Sequence, residues 1–200
     1  MNNRSRIIAV ALALVLVPAI AGARWIELED SAYRTARIDL LHENASGASI
    51  SVDLPGFEIV EQDVEGTRYQ EISVPGLATT SEVGRPQIPY ILVKVALPDI
   101  DGVRVRSIDV DYERISGSYH VIPVPEPTTD LSAKVLYSRN TSVYQMDVWY
   151  PAKSAELDRP AILRDARFVN LRIYPIRFNP ALKALEAARS VEVELDFSGV

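Results

Sequence analysis

The chain is 200 residues long and 48% hydrophobic, with a formal net charge of −6 and no cysteine. That length and apolar content suit one ordinary domain with a conventional core, and the lack of cysteine excludes disulfide staples, a thiol nucleophile and a lipid-modified cysteine. A mildly acidic chain without a basic run has no electrostatic case for binding nucleic acid.

Met1 to Arg6 form a short basic stretch, Ile7 to Ala21 run apolar, and Ala21, Gly22 and Ala23 are small. This is the layout of a secretory signal peptide, with cleavage expected after Ala21 or Ala23. The apolar run falls short of the roughly 20 residues of a membrane-spanning helix, and Pro18 lies near its end. An uncleaved N-terminal tether is the alternative. Residues 1–23 are thus expected to be a signal segment, and residues 24–200 a single exported domain, secreted, periplasmic or at the cell surface, with no membrane association after signal removal. Losing the two positive charges of Arg4 and Arg6 moves the formal charge from −6 to −8.

Beyond the signal the dominant pattern has period two. Ile50, Val52 and Leu54 alternate with polar neighbours, as do Ile72 and Val74, then Ile91, Val93, Val95 and Leu97. Further on, Val169, Leu171 and Ile173 repeat the pattern, and Val191, Val193, Leu195 and Phe197 alternate with Glu192, Glu194 and Asp196. Short strands in succession predict an all-β, antiparallel β-sandwich with little helix beyond the signal segment. Between these runs, Val103 and Val105 occupy odd positions whereas Ile108, Val110 and Tyr112 occupy even ones. A one-residue slip of that kind would turn half a strand inside out, so a β-bulge or a break is expected near Ser107.

Prolines punctuate the strands at Pro55, Pro75, Pro86, Pro89, Pro98, Pro123, Pro125 and Pro127. Proline cannot donate to a ladder and belongs on edges, at strand starts or in turns. Pro86 and Pro89 hold the chain extended on entry to the strand at Ile91. Asn179 to Arg189 can be read in two ways. Its Ala, Leu, Glu and Lys content suits a short helix, while Asn179-Pro180 suits a hairpin turn with a return strand from about Leu182.

No catalytic constellation is visible. His42 and His120 have no motif or clustered partner, which excludes a recognisable zinc site, and no cofactor or metal is expected. Asp99-Ile100-Asp101-Gly102 resembles a fragment of a calcium loop but lacks the later ligands and reads as a solvated turn. Asp109, Asp111 and Glu113 share one strand parity and read as an acidic wet face. Asn44-Ala45-Ser46 and Asn140-Thr141-Ser142 fit the glycosylation triplet, a pattern that is common by chance.

Three stretches, in order, resemble the N-terminal propeptide domain of gingipain-type cysteine peptidases. They are Val74-Pro-Gly76 followed by Gly84-Arg-Pro86-Gln-Ile-Pro89; Arg159 to Arg167, with Arg164 and Asp165; and Tyr174-Pro175-Ile-Arg-Phe178-Asn179-Pro180, where Phe178 takes the family's tyrosine place. The likeness runs from about residue 34 to residue 197. It implies that the Asn-Pro turn joins two strands, and that residues 182–197 form a return strand despite their composition. It also implies a non-enzymatic domain that keeps a cognate cysteine peptidase latent and assists its folding. The catalytic domain is absent from these 200 residues, so the chain either begins a longer precursor or acts in trans. The loop expected to approach an active site lies between Ser118 and Tyr137. Lys134 is the candidate for the specificity pocket, with Arg139 second, and a solvated lysine beside a strand is the plainer reading. The alternative function is a secreted interaction or adhesion module without a peptidase partner.

Overall fold

The computed structural model describes residues 22–98, 102–130, 132–164 and 166–197. Residues 1–21 of the expected signal, Asp99 to Asp101 of the expected turn, and Asp165 lie outside the described residues. The strands in chain order are β1 (Arg24–Glu27), β2 (Arg37–Asn44), β3 (Gly47–Asp53), β4 (Gly56–Val64), β5 (Thr67–Ser73), β6 (Ala78–Thr79), β7 (Pro89–Ala96), β8 (Arg104–Val110) and β9 (Glu113–Ile115). A one-turn helix, α1 (Thr141–Tyr144), precedes β10 (Ala155–Leu157), β11 (Ala161–Leu163), β12 (Ala166–Ile173), β13 (Ile176–Asn179), β14 (Ala184–Ala187) and β15 (Ser190–Asp196).

Every pairing between the named strands is antiparallel, and Gln70 of β5 adds a parallel bridge to Val121. The sheet β2-β3-β15-β8 packs on the sheet β10-β12-β7-β6, to which β11 is added through β12. Ile50, Val52, Ile91, Leu171, Val191 and Val193 fill the space between them. The sheets β1-β4-β5 and β13-β14-β9 enclose a second core of Phe57, Ile59, Ile72, Phe178 and Leu185, joined by Ile88, Tyr119 and Val121. Ala36 and Leu77 touch both cores. The alternating apolar residues read from the sequence are the ones that face inward, which confirms the β-sandwich.

Two-residue corners carry four strands from one core to the other: Leu54-Pro55, Asp111-Tyr112, Tyr174-Pro175 and Ala188-Arg189. The corners bond to one another. The Leu54 N–H donates to the Arg189 carbonyl at 2.7 Å, the Ala188 N–H to the Pro175 carbonyl at 2.8 Å, and the Tyr112 hydroxyl to the Tyr174 carbonyl at 2.6 Å. Buried backbone groups at these bends are thereby satisfied without a continuous ladder.

The phase slip resolves as a bulge. Glu194 pairs with Ser107 and Leu195 with Val105, so Arg106 is the extra residue, and both Val105 and Ile108 pack on the first core. The helix-rich segment is a hairpin: Asn179 pairs with Ala184 and Ile176 with Ala187 across β13 and β14. Propensity yields here because all four residues of β14 are buried between β13 and β9, where small alanines fit a covered strand. The turn is fixed by Asn179, whose Oδ1 accepts from the Leu182 N–H at 3.1 Å, and by Lys183 in the left-handed region at φ 49°.

Candidate functional site

Gly84 to Pro89 organise the long connection from residue 116 to residue 154, between β9 and β10. The stretch from Tyr119 to Val124 lies as an extra strand between β5 and this motif. Gln70 donates to the His120 carbonyl and Ile122 to the Gln70 carbonyl, each at 2.9 Å. On the other side Gln87 donates to the Ile122 carbonyl and Val124 to the Arg85 carbonyl, each at 2.8 Å, which makes Pro86 and Pro123 a facing pair. In an antiparallel pair of this type the bonds are made by the flanking residues, so the missing proline N–H groups are not needed. Pro89 is placed in the same way opposite Thr79, flanked by the bond from Thr80 to the Ile88 carbonyl at 2.8 Å. The prolines thus stiffen the ladder without removing a bond from it.

Gly84 closes the far end. It donates to the Val124 carbonyl and accepts from the Asn140 N–H, both at 3.0 Å, with φ at +79°. A Cβ here would lie 2.6 Å from the Ser138 carbonyl oxygen. Only glycine permits both this backbone conformation and this approach.

The described residues of 126–139, 126–130 and 132–139, leave this base as an exposed lobe. The Glu126 N–H donates to the Leu136 carbonyl at 2.8 Å, and the Glu126 carboxylate accepts from the Ser138 hydroxyl. Inside the lobe, Asp130 accepts from the Ser132 N–H at 2.9 Å and the Ser132 hydroxyl at 2.7 Å, bonds that hold its carboxyl below the usual range. Lys134 stands on the lobe with its Nζ 2.8 Å from Glu65 Oε1. Glu65 and Gly66 form the tip of the β4–β5 hairpin at φ 54° and 80°, and the ammonium holds the Glu65 carboxyl below its ordinary value. Both partners of this pair are about 70% exposed, so the contact places the lysine weakly and can be exchanged.

Arg139 is not on the lobe's outer part but at its base. Its guanidinium lies 5.6 Å from the centre of the Tyr144 ring, and its Nη1 is 3.3 Å from His120 Nε2. Tyr144 closes α1 against the ladder by donating its hydroxyl to the Val121 carbonyl at 2.7 Å, and burial pushes that hydroxyl well above an ordinary phenol. Asn140 caps α1, accepting from the Val143 N–H at 3.3 Å, which gives the Asn140-Thr-Ser142 triplet a structural use.

The other motif residues lie apart from the lobe. Arg164, at φ 55°, begins the tight turn joining β11 and β12. The Pro175 carbonyl serves the corner, and Asn179, buried beside Pro180, donates Nδ2–H to Asp147 Oδ1 at 2.9 Å. Sequence reasoning missed two features. Arg177 and Glu186 form a pair with side chains 18% and 11% exposed, and Arg177 lies 3.8 Å from the centre of the Tyr112 ring. Once the hairpin turn at Asn179 is accepted, the register predicts that pair. The second is His120, which stacks on Tyr69 at 4.3 Å between ring centres. No local signal marks it, because its partners are distant in sequence. Among the described residues no group of three or more His, Asp or Glu is arranged to hold a metal ion.

The Propeptide_C25 family model matches residues 31–199. Lys-gingipain of Porphyromonas gingivalis is 23% identical over 203 aligned residues, covering 98% of this chain and 12% of its own length. Gingipain R1 of the same organism is 23% identical over 207 aligned residues, covering 96% of this chain and 19% of its own. The chain therefore spans less than a fifth of the curated relatives it matches. A solved structure concerning the zymogenic latency of gingipain K superimposes with a TM-score of 0.72 at 23% identity, covering 90% of this chain and 100% of that one. A complex of the Porphyromonas gingivalis RgpB pro- and mature domains gives a TM-score of 0.70 at 18% identity, covering 82% of this chain and 85% of the matched one. With the family model matched across nearly all of the sandwich, the chain belongs to the Propeptide_C25 family.

Proposed function

We propose that this chain is the propeptide of an exported gingipain-type cysteine peptidase, which it keeps latent and helps to fold, with residues 1–23 as the export signal. The lobe at 126–139 enters the peptidase cleft and Lys134 occupies the specificity pocket. The observation that carries this reading is the mounting of the lobe: an exposed, self-closed loop with one lysine stands on a base held by Gly84, Val124 and Asn140. A loop pre-ordered on rigid sheets loses little entropy on docking, which favours tight inhibition. The weak pairing with Glu65 leaves the ammonium available for a stronger acidic partner.

The test is titration of the purified chain against Lys-gingipain and Gingipain R1 with lysyl and arginyl peptide substrates. Saturable inhibition of the lysine-cleaving enzyme, weakened by Lys134→Ala in a chain that still folds, is the expected result. No inhibition of either enzyme at micromolar chain would favour a second reading, an interaction module. That reading has its own observation: edge strand β2 leaves Ile38, Leu40 and Leu41 about half exposed.

A further inference from the structure

His120 sits where four pieces of chain meet. From β5, the Tyr69 ring stacks on the imidazole, the Arg68 carbonyl lies 3.3 Å from Nδ1, and Gln70 Oε1 accepts the His120 N–H at 2.6 Å. From the base of the lobe, Arg139 Nη1 approaches Nε2 at 3.3 Å. From α1, Tyr144 stands edge-on at 6.1 Å between ring centres, and from the β13–β14 turn Lys183 contributes a more distant positive charge. No carboxylate is among these neighbours.

This geometry selects one protonation state. A carbonyl at Nδ1 requires a hydrogen there, and a guanidinium N–H at Nε2 requires a lone pair there, so the imidazole must be the neutral Nδ1–H tautomer. A proton on Nε2 would abolish the bond from Arg139 and set two cations against each other at contact distance. We propose that His120 is the positioning residue of the lobe: neutral, it holds Arg139 and thereby the base from which residues 126–139 project; protonated, it releases them. The functional consequence, a lobe that loses its fixed aim on acidification, rests on the propeptide reading above; the latch itself does not. Burial, with the nearby cations of Arg139 and Lys183, holds the His120 pKa below its ordinary value, so the latch stays closed at neutral pH and opens only in acid. Arg139, on this account, anchors the lobe and does not fill a pocket.

The experiment is a pH titration of the full chain by NMR together with hydrogen exchange. The chain has two histidines, so His42→Gln assigns the His120 ring signals at once. His120 is expected to titrate below about 6.5, the ordinary imidazole value, with the amides of residues 138–144 shifting and losing protection at the same midpoint. Arg139→Gln, a surface change, should raise that midpoint and flatten the response of those amides. His120→Gln, which keeps an acceptor for Arg139, should leave the segment protected throughout. An ordinary midpoint unaffected by Arg139→Gln, or amides that do not follow the imidazole, would overturn the latch.

A second arm measures inhibition of Lys-gingipain by wild-type chain and His120→Gln from about pH 7.5 to about pH 5. The ratio between the two chains at each pH cancels the enzyme's own pH dependence. Wild type weakening several-fold more than His120→Gln supports the positioning role. Equal pH profiles overturn it even if the ring titrates as expected. Absence of inhibition by both chains at every pH sinks the propeptide reading instead, while the NMR result still decides the latch.

Discussion

Replacing Gly84 by alanine tests whether the lobe's base is built as described. The residue sits at φ +79°, and placing a non-glycine there costs roughly 1–2 kcal/mol. The new Cβ would also lie 2.6 Å from the Ser138 carbonyl oxygen and 3.2 Å from the Asn140 nitrogen, so the segment from Ser138 to Asn140 must move. That movement breaks the 3.0 Å bond from Asn140 to the Gly84 carbonyl and strains the one from Gly84 to Val124, at about 1 kcal/mol each. The total is about 3–4 kcal/mol, equivalent to a fall in melting temperature of roughly 6–16 °C.

Gly76→Ala is the internal control. Gly76 has φ +81° in the turn closed by Leu77 on the Val74 carbonyl, yet nothing lies within 4 Å of where its Cβ would be. It should cost only the backbone strain, about 1–2 kcal/mol. Urea unfolding followed by tryptophan fluorescence, compared at unchanged slope, measures both. If Gly84→Ala and Gly76→Ala prove equally costly, the close approach of Ser138 to Gly84 is not a feature of the folded protein and the account of the base fails.

Other consequences can be measured on the same material. Arg177→Ala leaves the buried Glu186 carboxylate without its partner and should destabilise by about 3–5 kcal/mol, whereas replacing both residues by apolar ones of similar volume should cost much less. Asn179→Ala orphans the Leu182 N–H and one acceptor of Asp147, with an expected loss of about 1–3 kcal/mol by urea unfolding. Because the folded-state pKa of His120 lies below its unfolded value, the unfolded chain takes up the proton first as pH falls. The stability contributed at neutral pH should therefore decline below about 6.5, and His120→Gln should remove that part of the decline in thermal melts. At the alkaline end, burial raises the Tyr112, Tyr144 and Tyr150 hydroxyls, so stability should fall as pH rises past about 10, the unfolded tyrosine value.

Much of the sandwich is written locally. Alternation at Ile50 to Leu54, Ile91 to Leu97 and Val191 to Phe197 determines which face of each strand is buried, and the change of parity between Val105 and Ile108 determines the bulge at Arg106. These are short-range properties, because the period of a strand and the missing N–H of a proline act within a few residues. The strand at Ala184 to Ala187 is different: its composition suits a helix, and its covering by β13 and β9 makes it a strand. The seat of Lys134 on the β4–β5 tip, the facing of Pro86 and Pro123, and the meeting of His120 with Arg139 were decided by tertiary structure alone. Each joins residues far apart in the chain, and no local period or propensity carries information about such a meeting.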